Sequence, residues 1–344
     1  MKDIFYISAW SKDDLAGGIY ACKLTEKGVD QVGFAPLFMA GYLCFSADGK
    51  RVYATGSVDS QEGVAAFAVK EEGTLDFLNF VPSCGVSTCH VCTAPGGKFL
   101  YTANYSSGNF SEFSLDETGK VAALTRVTAH YGSGPVADRQ ECAHPHFVSV
   151  TPDGKFLAVT DLGTDKLVCY PFDPETGIDP AKGIESPMPA GCGPRHIHFA
   201  ADGIAYLLTE LGNTVLSLRY QEGRFEVLNE LSLLPEKTVC DTKASAIRMS
   251  ADGKTLVATN RGFDSLVVIR VDGKGGMEKR QTTLSGGVSP RDVNFLPDGK
   301  SFAAANEFSG EIYFFDFDAE NAALTPNGIK LKHLRPLCIA WSEK

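Results

Sequence analysis

The 344-residue sequence lacks long hydrophobic runs, and its N-terminal apolar run is short and interrupted by acidic residues. A membrane-spanning helix needs ~20 predominantly apolar residues, and a secretory signal needs an apolar core followed by a small-residue cleavage site. Neither pattern is present. We therefore predict a cytoplasmic protein that has no membrane partner.

An excess of basic residues is also missing, because 42 acidic side chains face 32 basic ones and the formal net charge is −10 at pH 7. Nucleic acids and anionic membranes attract net basic surfaces. We expect neither as a partner, and an anionic ligand would need a local group of basic residues. The hydrophobic content of 44% is typical of a globular protein with a large core.

A paired CxxC framework is absent although the chain has ten cysteines. Several of them, including Cys22, Cys44 and Cys169, lie in alternating apolar segments. This pattern indicates reduced thiols in a protein core rather than a disulfide scaffold.

The sequence does contain an internal repeat. A strand-like run followed by a glycine turn recurs with spacings of 48, 57, 49, 50 and 46 residues, with the turns at Gly49, Gly97, Gly154, Gly203, Gly253 and Gly299. Asp-Gly supplies the positive φ of a tight hairpin, so each copy predicts two antiparallel strands. A third strand follows a polar break, and a weaker fourth completes the unit. Such a period is typical of propellers and solenoids.

The seventh copy is split between the two ends of the chain. The C-terminal RPLCIAWSEK matches a first strand, and the N-terminal IFYISAWSKDDLAGGIYACKL matches a second and third. Sharing one blade closes the ring and removes open sheet edges. We predict an all-β fold, a seven-bladed β-propeller with four antiparallel strands per blade, as a single domain over residues 1–344. Two stacked β-sandwiches would not produce equal units.

The repeat also predicts which side chains meet at one mouth of the central channel. Counting seven residues back from each turn aspartate gives Gly41, Cys89, His146, Arg195, Ser245, Arg291 and, in the split blade, Arg335. Counting eight forward gives Gly56, Asn104, Asp161, Glu210, Asn260 and Asn306, followed directly by Tyr105, Arg261 and Glu307. Converging guanidinium groups repel one another unless they hold an anion, and their planar fork suits carboxylate or phosphate. We predict a small anionic ligand.

The chemistry of these side chains suggests roles. His146 is the predicted general acid or base, because an imidazole titrates near pH ~6.5; a buried structural histidine is the alternative. Glu210 either orients His146 or Arg261, acts as the base itself, or forms a strand-end salt bridge. Substrate contact is predicted for a further set of polar residues: Arg291, Arg335, His196, Asn104, Asp161, Asn260 and Asn306. For the three asparagines and the aspartate, the alternative is that they cap strand ends.

Two further expectations concern the surroundings of this site. The longest spacing places extra residues before His144, which predicts a long loop over the same face, with Arg139 and Gln140 either covering the site or lying on the surface. No metal is predicted, because no histidine spacing specifies a ligand set. Strand alternation suggests that only one of two successive residues faces the channel, and places His144, His196 and His198 in supporting positions.

Four segments resemble the seven-bladed lactonase propellers, a family that includes one type of bacterial 6-phosphogluconolactonase and the fungal carboxymuconate cyclases. They are DRQECAHPHFVSVTPDGKFLAVTDLGTDKL, GPRHIHFAADGIAYLLTELGNTV, ATNRGFDSL and SPRDVNFLPDGKSFAAANEFSGEI. The resemblance implies a cofactor-free site that uses His146, Arg195, Glu210 and Arg261. Phe263 and Thr209 stand where the family commonly has histidine and asparagine, which leaves the fine substrate preference open.

The resemblance implies hydrolysis of 6-phosphogluconolactone, or a related sugar-acid lactone, to the open-chain acid of the pentose phosphate pathway. Either His146 or Glu210 would activate water, while arginines bind the phosphate and stabilise the oxyanion. A carboxymuconate-type lactonising isomerase would use the same groups to move a proton to carbon. A non-catalytic binding propeller is the third alternative, and the sequence alone does not separate them.

Overall fold

The computed structural model describes residues 3–11, 17–25, 28–200, 202–238, 240–333 and 335–342, so the other positions of the predicted 1–344 domain lie outside the described residues. Its strands, in chain order, are β1 (Ile4–Ala9), β2 (Gly18–Thr25), β3 (Gly28–Pro36), β4 (Leu43–Phe45), β5 (Arg51–Val58), β6 (Gln61–Val69), β7 (Leu75–Pro82), β8 (Thr88–Thr93), β9 (Phe99–Asn104), β10 (Asn109–Leu115), β11 (Val121–Ala129), β12 (Pro145–Val150), β13 (Phe156–Asp161), β14 (Lys166–Asp173), β15 (Gly177–Ile178), β16 (Ile184–Pro187), β17 (Pro194–Phe199), β18 (Ile204–Thr209), β19 (Thr214–Gln221), β20 (Arg224–Ser232), β21 (Lys243–Met249), β22 (Thr255–Arg261), β23 (Ser265–Val271), β24 (Met277–Leu284), β25 (Pro290–Phe295), β26 (Ser301–Asn306), β27 (Glu311–Asp318), β28 (Ala323–Lys332) and β29 (Pro336–Ala340).

These strands form seven antiparallel sheets, which are the blades of a propeller. Blade 1 has the order β29-β1-β2-β3, and blades 2 and 3 are β4–β7 and β8–β11. Blade 4 is β12–β16, where the short strands β15 and β16 both pair with β14 at the outer position. Blades 5, 6 and 7 are β17–β20, β21–β24 and β25–β28. The predicted fold is confirmed, including the blade shared by the two chain ends.

Helical structure is scarce in this fold. Within the described ranges, the only helical element is a 3-10 turn at Pro180–Lys182. None of the described residues belongs to a helix long and apolar enough to cross a membrane.

The hairpins between the first and second strands of blades 2 to 7 have the backbone that the sequence predicts. The turn glycines have φ between 67° and 73°. An added Cβ at Gly97, Gly154, Gly253 or Gly299 would meet no atom within 4 Å, so the positive φ, and not lack of space, requires glycine there. In blades 2, 4, 6 and 7 the aspartate before the glycine accepts a hydrogen bond from the backbone two residues on, as Asp48 does from Lys50 at 3.0 Å.

The hydrophobic core lies between the blades. Seven apolar clusters are present, and each joins two neighbouring blades, as Tyr6 and Phe67 do for blades 1 and 2. The inner strands contact one another around the ring in the order β29, β4, β8, β12, β17, β21, β25 and back to β29. Each blade therefore buries its faces only with its neighbours in place.

The cysteines do not form disulfides in this core. All ten are free, and Cys22, Cys169, Cys192 and Cys338 are buried. Burial raises the pKa of the Cys22 thiol to about 12, so this side chain behaves as a small apolar group.

Candidate active site

A β-bulge near the start of the inner strand recurs in six blades and points side chains into the channel. In blades 1, 3, 4, 5 and 7 the pairing between the first and second strands skips one residue of the first strand. In blade order the skipped residues are Leu337, Cys89, His146, Arg195 and Arg291. In blade 6 the register shifts between Ala244 and Ile247. The bulge breaks the strict alternation that the sequence suggested. Arg195 and His196 therefore both line the channel cavity, although they are adjacent in sequence.

Blade 1 requires a correction to the predicted ring. Pro336 pairs with Ala9 and Cys338 pairs with Ser8, so Leu337 is the skipped residue and lines the cavity. Arg335 was predicted at this position but precedes the strand, because the count from the chain end was two residues out of register. It still reaches the rim, where it forms an ion pair with Glu307.

Blade 5 requires a second correction, because its hairpin lacks the lysine that follows the turn glycine in the other five counted turns. Thr209 pairs with Pro194 in the way that Asp161 pairs with Pro145 and Asn306 with Pro290. Thr209 is thus the counterpart of the amide and aspartate positions. Glu210 instead corresponds to Tyr105, Arg261 and Glu307, one residue closer to the mouth.

The amide and aspartate positions do not line the cavity. Asn104, Asp161, Asn260 and Asn306 are fully buried within the blades. Asp161 accepts hydrogen bonds from the backbone N–H groups of His144 and Gly163 at 2.8 and 3.0 Å, and the other three donate to neighbouring side chains or carbonyls. None of the four is in the cavity lining, and their hydrogen bonds agree with strand-end capping, the alternative to substrate contact.

The channel mouth contains a cavity of about 190 Å³. Bulge residues of several blades line it together with the residues that follow them, and the lining includes Trp10, Gly41, Tyr42, Cys89, His146, Arg195, His196, Arg291, Asp292 and Leu337. Tyr42 and Asp292 of this lining both bind Arg248 at 2.8 Å. Glu62 also lines the cavity and accepts a hydrogen bond from the backbone N–H of Thr88. The lining thus contains both acidic and basic side chains.

Glu210 lies behind this wall at the centre of three arginines. Its Oε2 contacts Arg195 Nε at 2.7 Å and Arg261 Nη2 at 3.0 Å, and its Oε1 contacts Arg139 Nη2 at 2.6 Å. Burial alone would raise the pKa of Glu210, but the charges of Arg261 and Arg195 outweigh it and hold the pKa well below the usual range. Glu210 is therefore ionised, with both oxygens occupied.

The predicted long loop over the channel face contributes one of these arginines. Arg139 reaches from it to Glu210 and to the phenol of Tyr105, at 3.2 Å. Gln140 is fully buried instead and donates to the carbonyl of Leu162 and to Asp165, both at 2.8 Å. One of the two predicted loop residues thus belongs to the site, and the other stabilises the loop.

Arg195 connects the Glu210 cluster to the cavity. Its Nη1 lies 3.0 Å from Nε2 of His196 and also binds the carbonyl of Ser245. Burial is the largest influence on the pKa of Arg195 and lowers it, whereas Glu210 opposes this change. A guanidinium remains protonated at neutral pH, so Arg195 presents a positive charge to the cavity.

His146 is a neutral imidazole in the cavity wall. Its side chain is buried, and burial followed by the charge of Arg195 lowers its pKa well below 6.5, although Glu210 acts in the opposite direction. Nδ1 has no hydrogen-bond partner among the described residues. The ring lies 5.6 Å from Tyr105 and 5.5 Å from His196, measured between centroids. These features suit a group that accepts a proton.

A second acid–arginine group lies on blades 7 and 1. Glu307 forms ion pairs with Arg291, at 3.5 Å, and with Arg335. The Arg335 guanidinium carbon lies 4.2 Å from the ring centroid of Trp10. The sequence repeat places Glu307 next to the predicted ring but indicates no role for it. Because the hairpin of blade 5 is one residue shorter, Glu307 occupies the position in blade 7 that Glu210 occupies in blade 5.

One group outside the cavity lining has donors suited to a metal ion. Glu141, Cys142 and His144 bring their ligand atoms within 4.8 Å of one another on the long loop. No other such group occurs in the ranges that the structure describes. None of these three residues lines the cavity.

Comparison with known proteins agrees with the fold. A family model described as lactonase, 7-bladed beta-propeller, matches residues 4–341. A 6-phosphogluconolactonase of Bacillus subtilis is 33% identical over 99% of this chain and 98% of its own length. A candidate 6-phosphogluconolactonase of Bacteroides fragilis superposes with a TM-score of 0.90 at 30% identity, covering 99% of this chain and 98% of that one. The periplasmic gluconolactonase of Pseudomonas aeruginosa superposes with a TM-score of 0.91 at 25% identity, over 98% of each chain. The chain therefore belongs to the seven-bladed β-propeller lactonase family.

Proposed function

We propose that this chain hydrolyses 6-phosphogluconolactone to the open-chain acid. The observation that carries the proposal is that the neutral imidazole of His146 and the charged guanidinium of Arg195 line one cavity. A neutral imidazole accepts a proton from attacking water, and a guanidinium stabilises the negative charge that develops on a carbonyl oxygen. Arg291 adds a further cation for an anionic substrate.

The reaction proceeds through a tetrahedral intermediate. Water attacks the lactone carbonyl carbon while His146 takes one of its protons, and Arg195 stabilises the resulting oxyanion. The carbonyl then re-forms as the ring C–O bond breaks, and protonated His146 gives its proton to the leaving alkoxide. No oxidant or cofactor is consumed in these steps.

The contacts of Glu210 assign it a positioning role in this scheme. A general base needs a free lone pair within reach of the proton that it takes. Both oxygens of Glu210 are in ion pairs, whereas Nδ1 of His146 has no partner among the described residues. Of the two bases left open by the sequence, we therefore propose His146. Glu210 holds the fork of Arg195 in place.

The relatives support the substrate and extend the proposal to cellular context. The Bacillus subtilis relative is named for 6-phosphogluconolactone, and the Pseudomonas aeruginosa neighbour is a gluconolactonase. Hydrolysis of 6-phosphogluconolactone is a step of the pentose phosphate pathway. We propose that the chain acts in that pathway and in the cytoplasm.

The test is the rate of 6-phosphogluconolactone disappearance, corrected for spontaneous hydrolysis. We expect His146→Ala to reduce kcat/KM by about 10²–10⁴-fold, the usual contribution of a general base. Arg195→Ala should reduce it by about 10²–10³-fold, the effect of losing an oxyanion donor. Arg219→Ala removes an exposed ion pair with Glu226 and serves as the control. Thermal melts of each variant separate lost chemistry from lost folding.

Assays of the parent protein distinguish the hydrolase from the isomerase and from the binding propeller. If it does not accelerate lactone opening, the hydrolase proposal fails. Ring closure of a carboxymuconate-type acid would then identify a lactonising isomerase. Binding of a small acid without turnover would identify a binding propeller.

A further inference from the structure

The propeller repeat places two equivalent acid–arginine groups around the cavity. Glu210 directly follows β18, and Glu307 directly follows β26, at corresponding positions of blades 5 and 7. Each carboxylate binds the bulge arginine of its own blade and an arginine from the next blade. The first group is Arg195–Glu210–Arg261, and the second is Arg291–Glu307–Arg335.

The two groups differ in how many of their donors are already used. Arg195 binds Glu210, His196 and the carbonyl of Ser245, and its side chain is 3% exposed. Arg261 binds Glu210 and the carbonyls of Lys243 and Ala244. The first group also receives Arg139. A ligand that required several donors from this group would have to break existing bonds.

The second group is open. The side chains of Arg291 and Arg335 are 32% and 38% exposed, and the carboxylate between them is 7% exposed. Their side-chain polar contacts within the described part of the chain are the two ion pairs to Glu307. Nε of Arg335 is buried without a hydrogen-bond partner there. Two guanidinium groups offer about ten N–H donors, far more than one carboxylate accepts.

The open group faces the cavity that holds His146. Arg291 and Trp10 line that cavity, and Arg335 lies over the Trp10 ring. Two guanidinium groups and one carboxylate leave one positive charge uncompensated. A phosphate monoester carries two negative charges near neutral pH and accepts bidentate hydrogen bonds from arginine. The charge, the free donors and the location thus fit a phosphoryl group bound at the rim.

We infer that Arg291 and Arg335, oriented by Glu307, form a phosphate subsite that makes the enzyme selective for phosphorylated lactones. This inference rests on the proposed lactonase function. The lactone carbonyl lies between His146 and Arg195 on blades 4 and 5, and the phosphate extends across the cavity to blades 7 and 1. Glu307 is a positioning residue, which keeps the two guanidinium groups together in the absence of substrate.

The experiment compares kcat/KM for 6-phosphogluconolactone with kcat/KM for δ-gluconolactone, which lacks the phosphate. Arg335→Gln and Arg291→Gln should each lower the ratio of the two values by about 10- to 100-fold, as expected for losing hydrogen bonds to a charged group. The loss should appear mainly in KM for the phosphorylated substrate. Arg195→Ala should lower both values in proportion and leave the ratio unchanged. Arg280→Gln, in an exposed pair with Glu278, is the matched control.

A binding measurement tests the subsite without turnover. Inorganic phosphate, titrated by calorimetry, should bind the parent protein and bind Arg335→Gln at least about 10-fold more weakly. Arg335→Lys keeps the charge but loses the planar fork, so it should fall between the two. Melting temperatures confirm that each variant is folded.

The outcomes separate the subsite from the proposed function. A parent enzyme that hydrolyses 6-phosphogluconolactone while the substrate ratio stays unchanged in both glutamine variants would overturn the subsite and leave the lactonase intact. A parent protein that hydrolyses neither lactone would end the proposed function. In that case phosphate binding that is lost in Arg335→Gln still supports the subsite, and equal binding by both proteins overturns it.

Discussion

At the scale of single residues, opposing electrostatic influences act on His146. Burial and the charge of Arg195 both favour the neutral imidazole, and Glu210 favours the imidazolium. The first two dominate, so the pKa lies well below 6.5. A base that is already neutral at pH 7 needs no prior deprotonation. It also becomes a strong acid once protonated, which favours transfer of the proton to the leaving alkoxide.

This balance predicts the pH dependence of the reaction. A base with a lowered pKa keeps its active form as the pH falls through 6.5 and loses it only at the lower pKa. We therefore expect kcat/KM, corrected for spontaneous hydrolysis, to stay flat between about pH 6.5 and 7.5 and to decline only well below pH 6.5. His198→Gln is the control, because burial lowers the pKa of His198 to about 4 but this residue does not line the cavity. An acid limb centred at or above pH 6.5, or one abolished by His198→Gln, would contradict the assignment.

Counting along the repeat located some cavity residues and misplaced others. His146, Arg195 and Arg291 were found because each stands at a fixed distance before a complete hairpin. Arg335 was misplaced since its blade has no hairpin of its own to count from. Asp292 was missed because the bulge of blade 7 brings two successive residues, Arg291 and Asp292, to the cavity, and no composition signal marks a bulge. These errors arise from local backbone irregularity, which a count of residues does not contain.

At the scale of secondary structure elements, the turn after β13 holds the long loop of blade 4 close to the sheet. A Cβ on Gly163 would lie 1.8 Å from the carbonyl oxygen of Cys142 and 2.8 Å from the N–H nitrogen of His144. These atoms belong to the backbone and have little room to move. The same loop carries Arg139, whose guanidinium binds Glu210. The glycine therefore couples the turn between β13 and β14 to the loop that carries Arg139.

Gly163→Ala should consequently affect both stability and activity. We expect a loss of about 2 kcal/mol or more in the free energy of unfolding, and up to about a 100-fold lower kcat/KM from the displaced loop. Gly154→Ala is the matched control in the same blade: its Cβ has free space, and φ is 69°, so it should cost only about 1–2 kcal/mol of stability and keep its activity. Denaturant unfolding and steady-state kinetics measure both quantities. Equal behaviour of the two variants would show that the close approach does not matter.

Hairpins were the elements most completely predicted from the sequence. Their signal is local, since an Asp-Gly pair specifies a positive φ and a side-chain bond within a few residues. The outer strands were less well defined, because they are half solvated and their alternation is weak. Blade 4 differs from the predicted unit, because two short strands, β15 and β16, together take the place of its fourth strand. Nothing in the repeat indicated that division.

At the scale of the whole molecule, closure of the ring depends on β29. Ile339 pairs with Ile7 of blade 1. Its N–H donates to Asp292 of blade 7 at 2.9 Å, and its carbonyl accepts from Asn294 of the same blade, also at 2.9 Å. The side chain is fully buried. One strand therefore joins the first and last blades through both backbone and side-chain contacts.

If the ring unfolds as one unit, damage to this closing strand should be felt by every blade. Ile339→Ala should lower the free energy of unfolding by about 2–5 kcal/mol and shift a single transition to lower temperature. Val127→Ala, at a site that is 42% exposed on an outer strand, should cost no more than about 0.5 kcal/mol. Calorimetry distinguishes one shifted transition from two separate ones. An early separate transition in Ile339→Ala would show that blade 1 opens independently of the rest.

The recurring bulge has a consequence for how new specificities arise on this scaffold. Six of the seven blades have this bulge, and the hydrogen bonds that define the position belong to the backbone. Leu337 occupies one of these positions, lines the cavity and carries no charge. A basic or acidic residue at this position would enter the same cavity while the hairpins kept their register. The chemistry of the cavity is therefore adjustable one blade at a time, independently of the interactions that keep the ring folded.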